Sequence, residues 1–385
     1  MSQASPATPH ATDRLRDAVR EATEGLIERD HLAELMLLAT VAREHVLVIG
    51  PPGTGKSAVV RRMAQSLGGN YFEYLLGRFT EPAEIFGAVN LNKLREGLVE
   101  TDTAGMLPEA DIAFLDEVFL GSTAILNTLL GLLNERQFRR GHTHIQCPLR
   151  LCVAAANGLP EDEGLAAFAD RFLLHVFVDA VPDAKLEDLL AGGWQVGQHK
   201  ISPRAELNLL DAINRLLPTI DVTEVRPELA LAIRQLRQAN IQLSDRRIVK
   251  AQQLVAAAAA LAGRNVATRA DLWPLLYVIP TANGQLSARE TLRDVLAEAR
   301  HPLLHSVVEE AAQHPLARVA RLHSTAQQLL TQLVAVENTS ADKQQTIRSK
   351  IESLLREIDA NFESSDLPEQ LAEQRSALIQ AAGLA

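Results

Sequence analysis

Cysteine is nearly absent from this sequence, with only Cys147 and Cys152 in 385 residues. Two are too few for a disulfide scaffold or a four-cysteine metal site. Cys152 lies in the apolar run Leu151–Ala156 and reads as a small buried hydrophobe. Aromatic residues make up only 4%, so the interior must be built from Leu, Val, Ile and Ala, which favours helices. No run of about 18 uncharged apolar residues occurs, so no membrane-spanning helix is expected. The polar Met1–Ala11 segment lacks the basic start and apolar stretch of a signal peptide. Positive charge is in deficit, with a formal net charge of −10. That opposes a strongly basic nucleic-acid binder, although a local basic patch remains compatible with it. A soluble, acidic, cytoplasmic protein is the expectation.

What is present supports a substantial core. Hydrophobic residues reach 47% and charged residues 22%, and the length accommodates about two to three domains. Residues 1–12, rich in Ser, Ala, Pro and Thr, read as disordered. Helical spacing follows over 13–29 and 31–43, then the short apolar run Val46–Ile49 closes on Gly50-Pro51-Pro52-Gly53. Similar runs at Ile112–Leu115, Leu151–Ala155 and Leu173–Val178 suit strands buried on both faces of a parallel sheet. Strands alternating with helices predict a doubly wound α/β domain over 13–195. The β signal then fades. Helical spacing over 204–217, 227–240, 245–261 and 269–278 predicts an all-helical lid over 200–286. The charged, Gln/Glu-rich 287–385 reads as a helical C-terminal extension, with amphipathic helices over 303–336 and 342–358 that suit packing or docking.

The chemistry concentrates in the first domain. Gly50-Pro51-Pro52-Gly53-Thr54-Gly55-Lys56-Ser57 fits the phosphate-loop pattern and sits between a predicted strand and a predicted helix, with Ala58 continuing that helix. Glycines let backbone N–H groups turn onto a phosphate at the positive end of the helix. Lys56 can reach the β- and γ-phosphates, and Ser57 can ligate Mg²⁺. Asp116, at the end of an apolar run, can hold Mg²⁺ through water, and Glu117 can polarise an attacking water. Asn157 ends another run and can bond that water from the side opposite Glu117, or serve as a turn residue before Gly158-Leu159-Pro160.

With Gly50–Ser57 as Walker A, Ile112–Glu117 as Walker B and Asn157 as sensor 1, the sequence resembles an AAA+ ATPase. Asp170-Arg171-Phe172 is similar to the family's arginine-finger segment, and Ser244-Asp245-Arg246-Arg247 to its sensor 2. Arg171 could instead pair with Asp170 or Glu163, and sensor 2 could use Arg246 or Arg247, with Arg246 favoured by spacing. The segments Phe79–Gly87, Gly105–Ala110 and Leu126–Arg136 resemble the MoxR family, and Asn134–Arg139 with Ser-Asp-Arg-Arg its RavA-like branch. The resemblance covers residues 13–280. It implies ATP and Mg²⁺ as cofactors, a hexameric ring, hydrolysis of ATP, and remodelling or maturation of a client protein complex. It also implies a von Willebrand factor A domain partner with a metal-ion-dependent adhesion site. Asn90–Thr103 would then be the helix-2 insert, and Gln137–Gln146 a hairpin turning at Gly141. Two histidines among arginines there, His142 and His144, are a poor cation site. Rival readings are a rubisco-activase-like remodeller, an MCM-like nucleic-acid motor, and a non-hydrolysing nucleotide switch, the last opposed by Glu117.

Overall fold

The computed structural model describes residues 9–196, 201 and 206–312, with scattered helical residues between 326 and 379. Two helices lead in, α1 (Pro9–Thr23) and α2 (Asp30–Ala42). The α/β part follows as β1 (Val46–Ile49), α3 (Lys56–Leu67), β2 (Tyr71–Leu75), α4 (Pro82–Phe86), α5 (Leu91–Arg95), β3 (Ile112–Asp116) and α6 (Thr123–Glu135). It continues through a hairpin, β4 (Gln137–Arg140) and β5 (Thr143–Gln146), to β6 (Leu151–Ala156), α7 (Glu163–Ala169) and β7 (Leu174–Phe177). Only helices come after: α8 (Leu186–Val196), α9 (Leu207–Leu216), α10 (Val225–Gln238), α11 (Asp245–Leu261), α12 (Leu275–Val278), α13 (Ala282–Thr291), α14 (Arg293–Ala297) and α15 (His305–Ala312).

The sheet is parallel, in the order β2-β3-β6-β1-β7. Its strands alternate between two cores. Val46, Val48, Ile112 and Phe114 face one, with α1, α2, α3 and the later helices. Leu47, Ile49, Ala113 and Leu115 face the other, with α6 and the hairpin. Burial on both faces explains why β1 and β6 read as continuous apolar runs.

Helix α2 is apolar almost all round because it is covered twice, by the sheet on one side and by α9, α11 and α15 on the other. The edge strand β7 is covered by α12, which shields its open backbone groups. His175 on β7 bonds the carbonyl of Pro280 at 2.9 Å, and Gln285 donates to the carbonyl of His175 at 2.9 Å. The lid is thereby fastened to the sheet.

Several expectations are corrected in detail. Helix α1 begins at Pro9, inside the segment read as disordered, and ends at Thr23, because the left-handed Gly25 starts a loop before α2. The edge strand β2 carried no continuous apolar signal, since Glu73 and Tyr74 are only half buried. The helix expected over 269–278 is a 3₁₀ turn and α12, separated at Trp273-Pro274. The expected boundary at residue 286 falls inside α13, and Ala288, Leu292, Val295, Leu296, Leu304 and Val307 continue the main core. The helix expected over 303–336 is seen as α15 up to Ala312, and its remainder and the helix expected over 342–358 lie largely outside the described residues.

Candidate active site

Strands β3, β6 and β1 are neighbours and all end at one edge of the sheet. Ile49 pairs with Ala156 and Gly50 N donates to Ala156 O at 3.1 Å, which sets the Gly50 loop beside Asn157. Leu115 pairs with Ala154, which brings Asp116 and Glu117 to the same edge. Ligands of open α/β sheets bind outside this carboxyl edge.

The loop Gly50–Ser57 is shaped by its glycines. A Cβ at Gly50 would lie 2.1 Å from the carbonyl oxygen of Val178, so only glycine lets the chain leave β1 past β7. Gly53 and Gly55 have φ of +80° and +79°, and a Cβ on either would meet no atom within 4 Å, so the loop is open on that side. Thr54 Oγ1 donates to Pro51 O at 2.9 Å and closes the turn. Ser57 and Ala58 form the first turn of α3 with Lys56.

Lys56 is only 7% exposed. Its Nζ donates to Gly50 O at 2.7 Å and Pro51 O at 2.9 Å. Burial lowers its pKa, while the carboxylates of Asp116 and Glu117 push it back up. An ammonium satisfied by loop carbonyls beside an open Gly-rich turn fits a phosphate oxygen as an alternative acceptor, so the residues present suit a nucleotide.

Asp116 Oδ1 accepts from Glu117 N at 3.0 Å. Glu117 has φ of +49°, a left-handed conformation that costs a non-glycine residue and concentrates at functional positions. Its Oε1 accepts from Asn157 Nδ2 at 2.6 Å. The expectation set these two on opposite sides of a water; instead Asn157 holds Glu117 directly. A carboxylate has lone pairs to spare, so Glu117 can accept from a water as well.

One residue at this edge carried no signal in the sequence. Arg29 is buried, donating Nε to Thr54 O and Nη2 to Asp179 O, both at 2.8 Å. Burial lowers its pKa. It staples the loop between α1 and α2 onto the phosphate loop. Beside it lies a cavity of ≈ 640 Å³, lined by Leu26, Ile27, Glu28, Lys185 and Asp188 among others.

Arg171 and Arg246 are not brought to this edge. Arg171 precedes β7, whose Leu174 pairs with Val46 at the start of β1, whereas the phosphate loop follows the end of β1. A four-residue strand separates them by roughly 13 Å along the sheet. Arg171 Nε is buried without a hydrogen-bond partner among the described residues. Asp170 does not pair with it: the Asp170 carboxylate is 2.6 Å from Arg247 Nε. Arg247 also donates to the carbonyls of Leu173, Val278 and Phe172, at 3.0, 2.6 and 3.0 Å, and is 2% exposed. Its guanidinium ties α11 to the entry of β7 and is not free for phosphate. Arg246 faces outward, donating to Asn134 Oδ1 at 2.5 Å. Its pKa is lowered by burial first and then by the charge of Arg171.

The remaining polar motifs are engaged internally. His142 Nδ1 accepts from Val99 N at 3.1 Å, and Arg139 Nε donates to His144 Nε2 at 3.2 Å. A Cβ at Gly141 would come within 2.4 Å of Val99 O, so the hairpin tip lies directly on the 88–103 segment. Among the described residues, no group of three or more His, Cys, Asp or Glu side chains could hold a metal. Burial pushes the Cys147 and Cys152 thiols up to about 11 and about 12, so neither is a ready thiolate. No described helix is long and apolar enough to cross a membrane.

A parallel sheet with a Gly-rich loop after β1, an acidic pair after β3, and a helical lid define the AAA+ class of P-loop ATPases. The profile of the MoxR domain in MoxR-vWA-beta-propeller ternary systems matches residues 13–217, and that of an AAA lid domain matches residues 219–292. The chain belongs to the MoxR family of AAA+ ATPases. An uncharacterized protein of Methanocaldococcus jannaschii is 33% identical over 259 residues, which is 66% of this chain and 67% of the relative. Chaperone MoxR1 of Mycobacterium tuberculosis is 28% identical over 168 residues, 43% of this chain and 44% of the relative. The crystal structure of a Cytophaga hutchinsonii protein assigned as an ATPase superposes with a TM-score of 0.61 at 15% identity. That match covers 76% of this chain and 96% of the other and speaks to the fold alone.

Proposed function

We propose that this chain hydrolyses ATP as a subunit of a homo-oligomeric, hexameric ring that remodels or matures a partner protein complex. The observation that carries the reading is the convergence of Lys56, Asp116, Glu117 and Asn157 on one strand edge, with Glu117 bonded to Asn157 at 2.6 Å. Gly50, Pro51, Pro52, Gly53, Thr54, Gly55, Ser57 and Ala58 would cradle the phosphates, and Leu26 and Ile27 would flank the base in the neighbouring cavity. Ser57 and Asp116 would hold Mg²⁺, which when bound neutralises phosphate charge. Lys56 binds phosphate oxygens, Glu117 takes up the proton side of an attacking water, and Asn157 orients Glu117. Arg171 and Arg246, on the opposite strand edge, would serve the nucleotide of a neighbouring subunit.

A von Willebrand factor A domain protein, alone or with a β-propeller protein, is the proposed partner, supported by the description of the matched domain. The name of the mycobacterial relative supports chaperone-like work. The RavA-like placement, rests on residues 134–139 and 244–247, and the cytoplasmic setting are part of the same proposal. An ATPase core over 13–195 and a lid from about residue 200 complete it, the lid now extending through α15. The rivals, a rubisco-activase-like remodeller and an MCM-like motor, differ in client and are separated by whether protein or nucleic acid stimulates turnover.

The test is a pair of variants. Lys56→Ala should lose nucleotide binding, while Glu117→Gln should bind ATP and hydrolyse it far more slowly, because only the chemical step loses its base. Equal nucleotide affinity for wild type and Lys56→Ala would contradict the site.

A further inference from the structure

Arg29 reaches three separate segments of the chain with one guanidinium. It is only 4% exposed, and its Nη1 donates to Glu28 O at 2.8 Å in addition to the bonds to Thr54 O and Asp179 O. These carbonyls belong to the turn before α2, the phosphate loop and the exit of β7. All are neutral acceptors, so the bonds satisfy guanidinium N–H groups and leave the positive charge in place. Beyond burial and the two carboxylates, that charge also bears on Lys56. A second cation therefore stands behind the loop that would receive phosphate.

The bond to Thr54 fixes more than one atom. A peptide group is planar and trans, so its C=O and N–H point in opposite directions. Holding Thr54 O on Arg29 therefore turns the Gly55 N–H away from Arg29. Gly55 is the N-cap of α3, with φ of +79°, so that N–H stands at the positive end of the helix. Glycine resists rotation of this peptide little, and without a tether the N–H would sample many directions. The other side of the guanidinium is held by a strained turn. Glu28 has φ of +57°, which is costly for a non-glycine residue. Its carbonyl is held by Arg29 and its carboxylate by Lys185, at 2.8 Å each. Glu28 and Lys185 both line the cavity proposed for the base. One side chain thus touches the cavity wall and the phosphate loop at once.

We infer that Arg29 is a positioning residue of the nucleotide site, aiming the Gly55 N–H at a phosphate and linking that aim to occupancy of the base cavity. The inference rests on the nucleotide-site reading above and deepens it by naming what couples base to phosphate. A base in the cavity orders the Glu28 turn, which holds Arg29, which holds the 54–55 peptide. The coupling is reciprocal, so a phosphate ligand favours a base in the same measure. Arginine suits this role because its planar fork spans separate acceptors, which the compact ammonium of a lysine does not.

The experiment uses the full chain and two fragments of the nucleotide, adenosine and Mg²⁺-pyrophosphate, followed by calorimetry. In wild type, saturating adenosine should tighten pyrophosphate binding about fivefold or more. Arg29→Lys and Arg29→Met, on protein whose fold is verified by circular dichroism, should bind adenosine within about twofold of wild type. They should bind pyrophosphate about tenfold or more weakly and show no coupling. A purely structural role would lower urea stability while leaving both affinities and the coupling unchanged in the folded variants, and that result overturns the inference. Equal losses of adenosine and pyrophosphate affinity overturn it as well. So does full rescue by Arg29→Lys, which would mean that charge alone matters. If neither variant folds, the wild-type coupling decides: its presence supports the inference and its absence overturns it. Wild type that binds ATP without coupling the fragments rejects the Arg29 link alone. Wild type that binds neither ATP nor pyrophosphate removes the nucleotide site and the link together.

Discussion

Arg246 and Arg247 are adjacent in sequence and opposite in what they touch. Arg247 is enclosed by Asp170 and three backbone carbonyls, and its removal would take the guanidinium donor from those buried carbonyls and the charge partner from the half-buried Asp170. Arg247→Ala should therefore destabilise the fold by on the order of 3 kcal/mol. Arg246→Ala, half exposed and bonded only to Asn134 among the described residues, should change stability by about 0.5 kcal/mol or less but lower turnover roughly tenfold or more. Urea unfolding and ATPase rates on the two variants check this. Comparable stability losses for both would contradict the division. At this scale the sequence was legible where spacing and context combine. Lys56, Asp116, Glu117 and Asn157 each end or follow an apolar run, and parallel strands bring such ends together. Arg29 and Arg247 were not legible, because an arginine before a helix or in its first turn looks solvated until tertiary structure buries it.

At the scale of elements, the packing of α15 on α2 has consequences for pH. Glu34 on α2 accepts from Val307 N at 2.8 Å, near the start of α15, and burial raises its pKa from an ordinary 4.5 to about 7. A folded-state pKa above the unfolded one means the native chain holds this proton more tightly. The associated stability is fully present below about pH 4.5 and is lost as pH rises through 7. His175 and His301, both lowered by burial to about 4, act in the opposite sense, contributing above pH 6.5 and failing as pH falls towards 4. Glu34→Gln keeps an acceptor for Val307 without the charge. It should match wild type near pH 4 and exceed it by on the order of 2 kcal/mol at pH 8 in urea unfolding. A difference that does not vary with pH would contradict the assignment.

Truncation tests the same element. Removing residues 313–385 should leave a folded protein that binds nucleotide. Removing 287–385 also takes α14, α15 and part of α13, and should give insoluble or grossly unstable chains, since Leu292, Leu296, Leu304 and Val307 belong to the main core. A soluble, cooperative 1–286 fragment would contradict the packing. The expected break at 286 came from a change in composition, and composition does not record that the charged helices carry an apolar stripe into a distant α2. The edge strand β2 was missed for a related reason: it is less fully buried than its neighbours, so its sequence lacks their continuous apolar run.

For the whole molecule, the central claim is that catalysis is completed between subunits. The proposed phosphate-binding residues lie at one strand edge and Arg171 and Arg246 at the opposite one, so in this account neither set alone makes a site. An arginine stabilises charge that develops mainly in the transition state, and is worth about 10³–10⁵ in rate in well-studied phosphoryl transfer. Arg171→Ala should thus bind ATP nearly as wild type does and lose most turnover. The most direct measurement is the ATPase rate of Arg171→Ala mixed with Lys56→Ala, with subunit exchange followed independently. Each should be inactive alone, yet mixed assemblies would contain interfaces where an intact Arg171 meets an intact Lys56. The account predicts that the mixture exceeds both parents, with a maximum at intermediate ratios. Exchanged mixtures that never exceed either parent would contradict it.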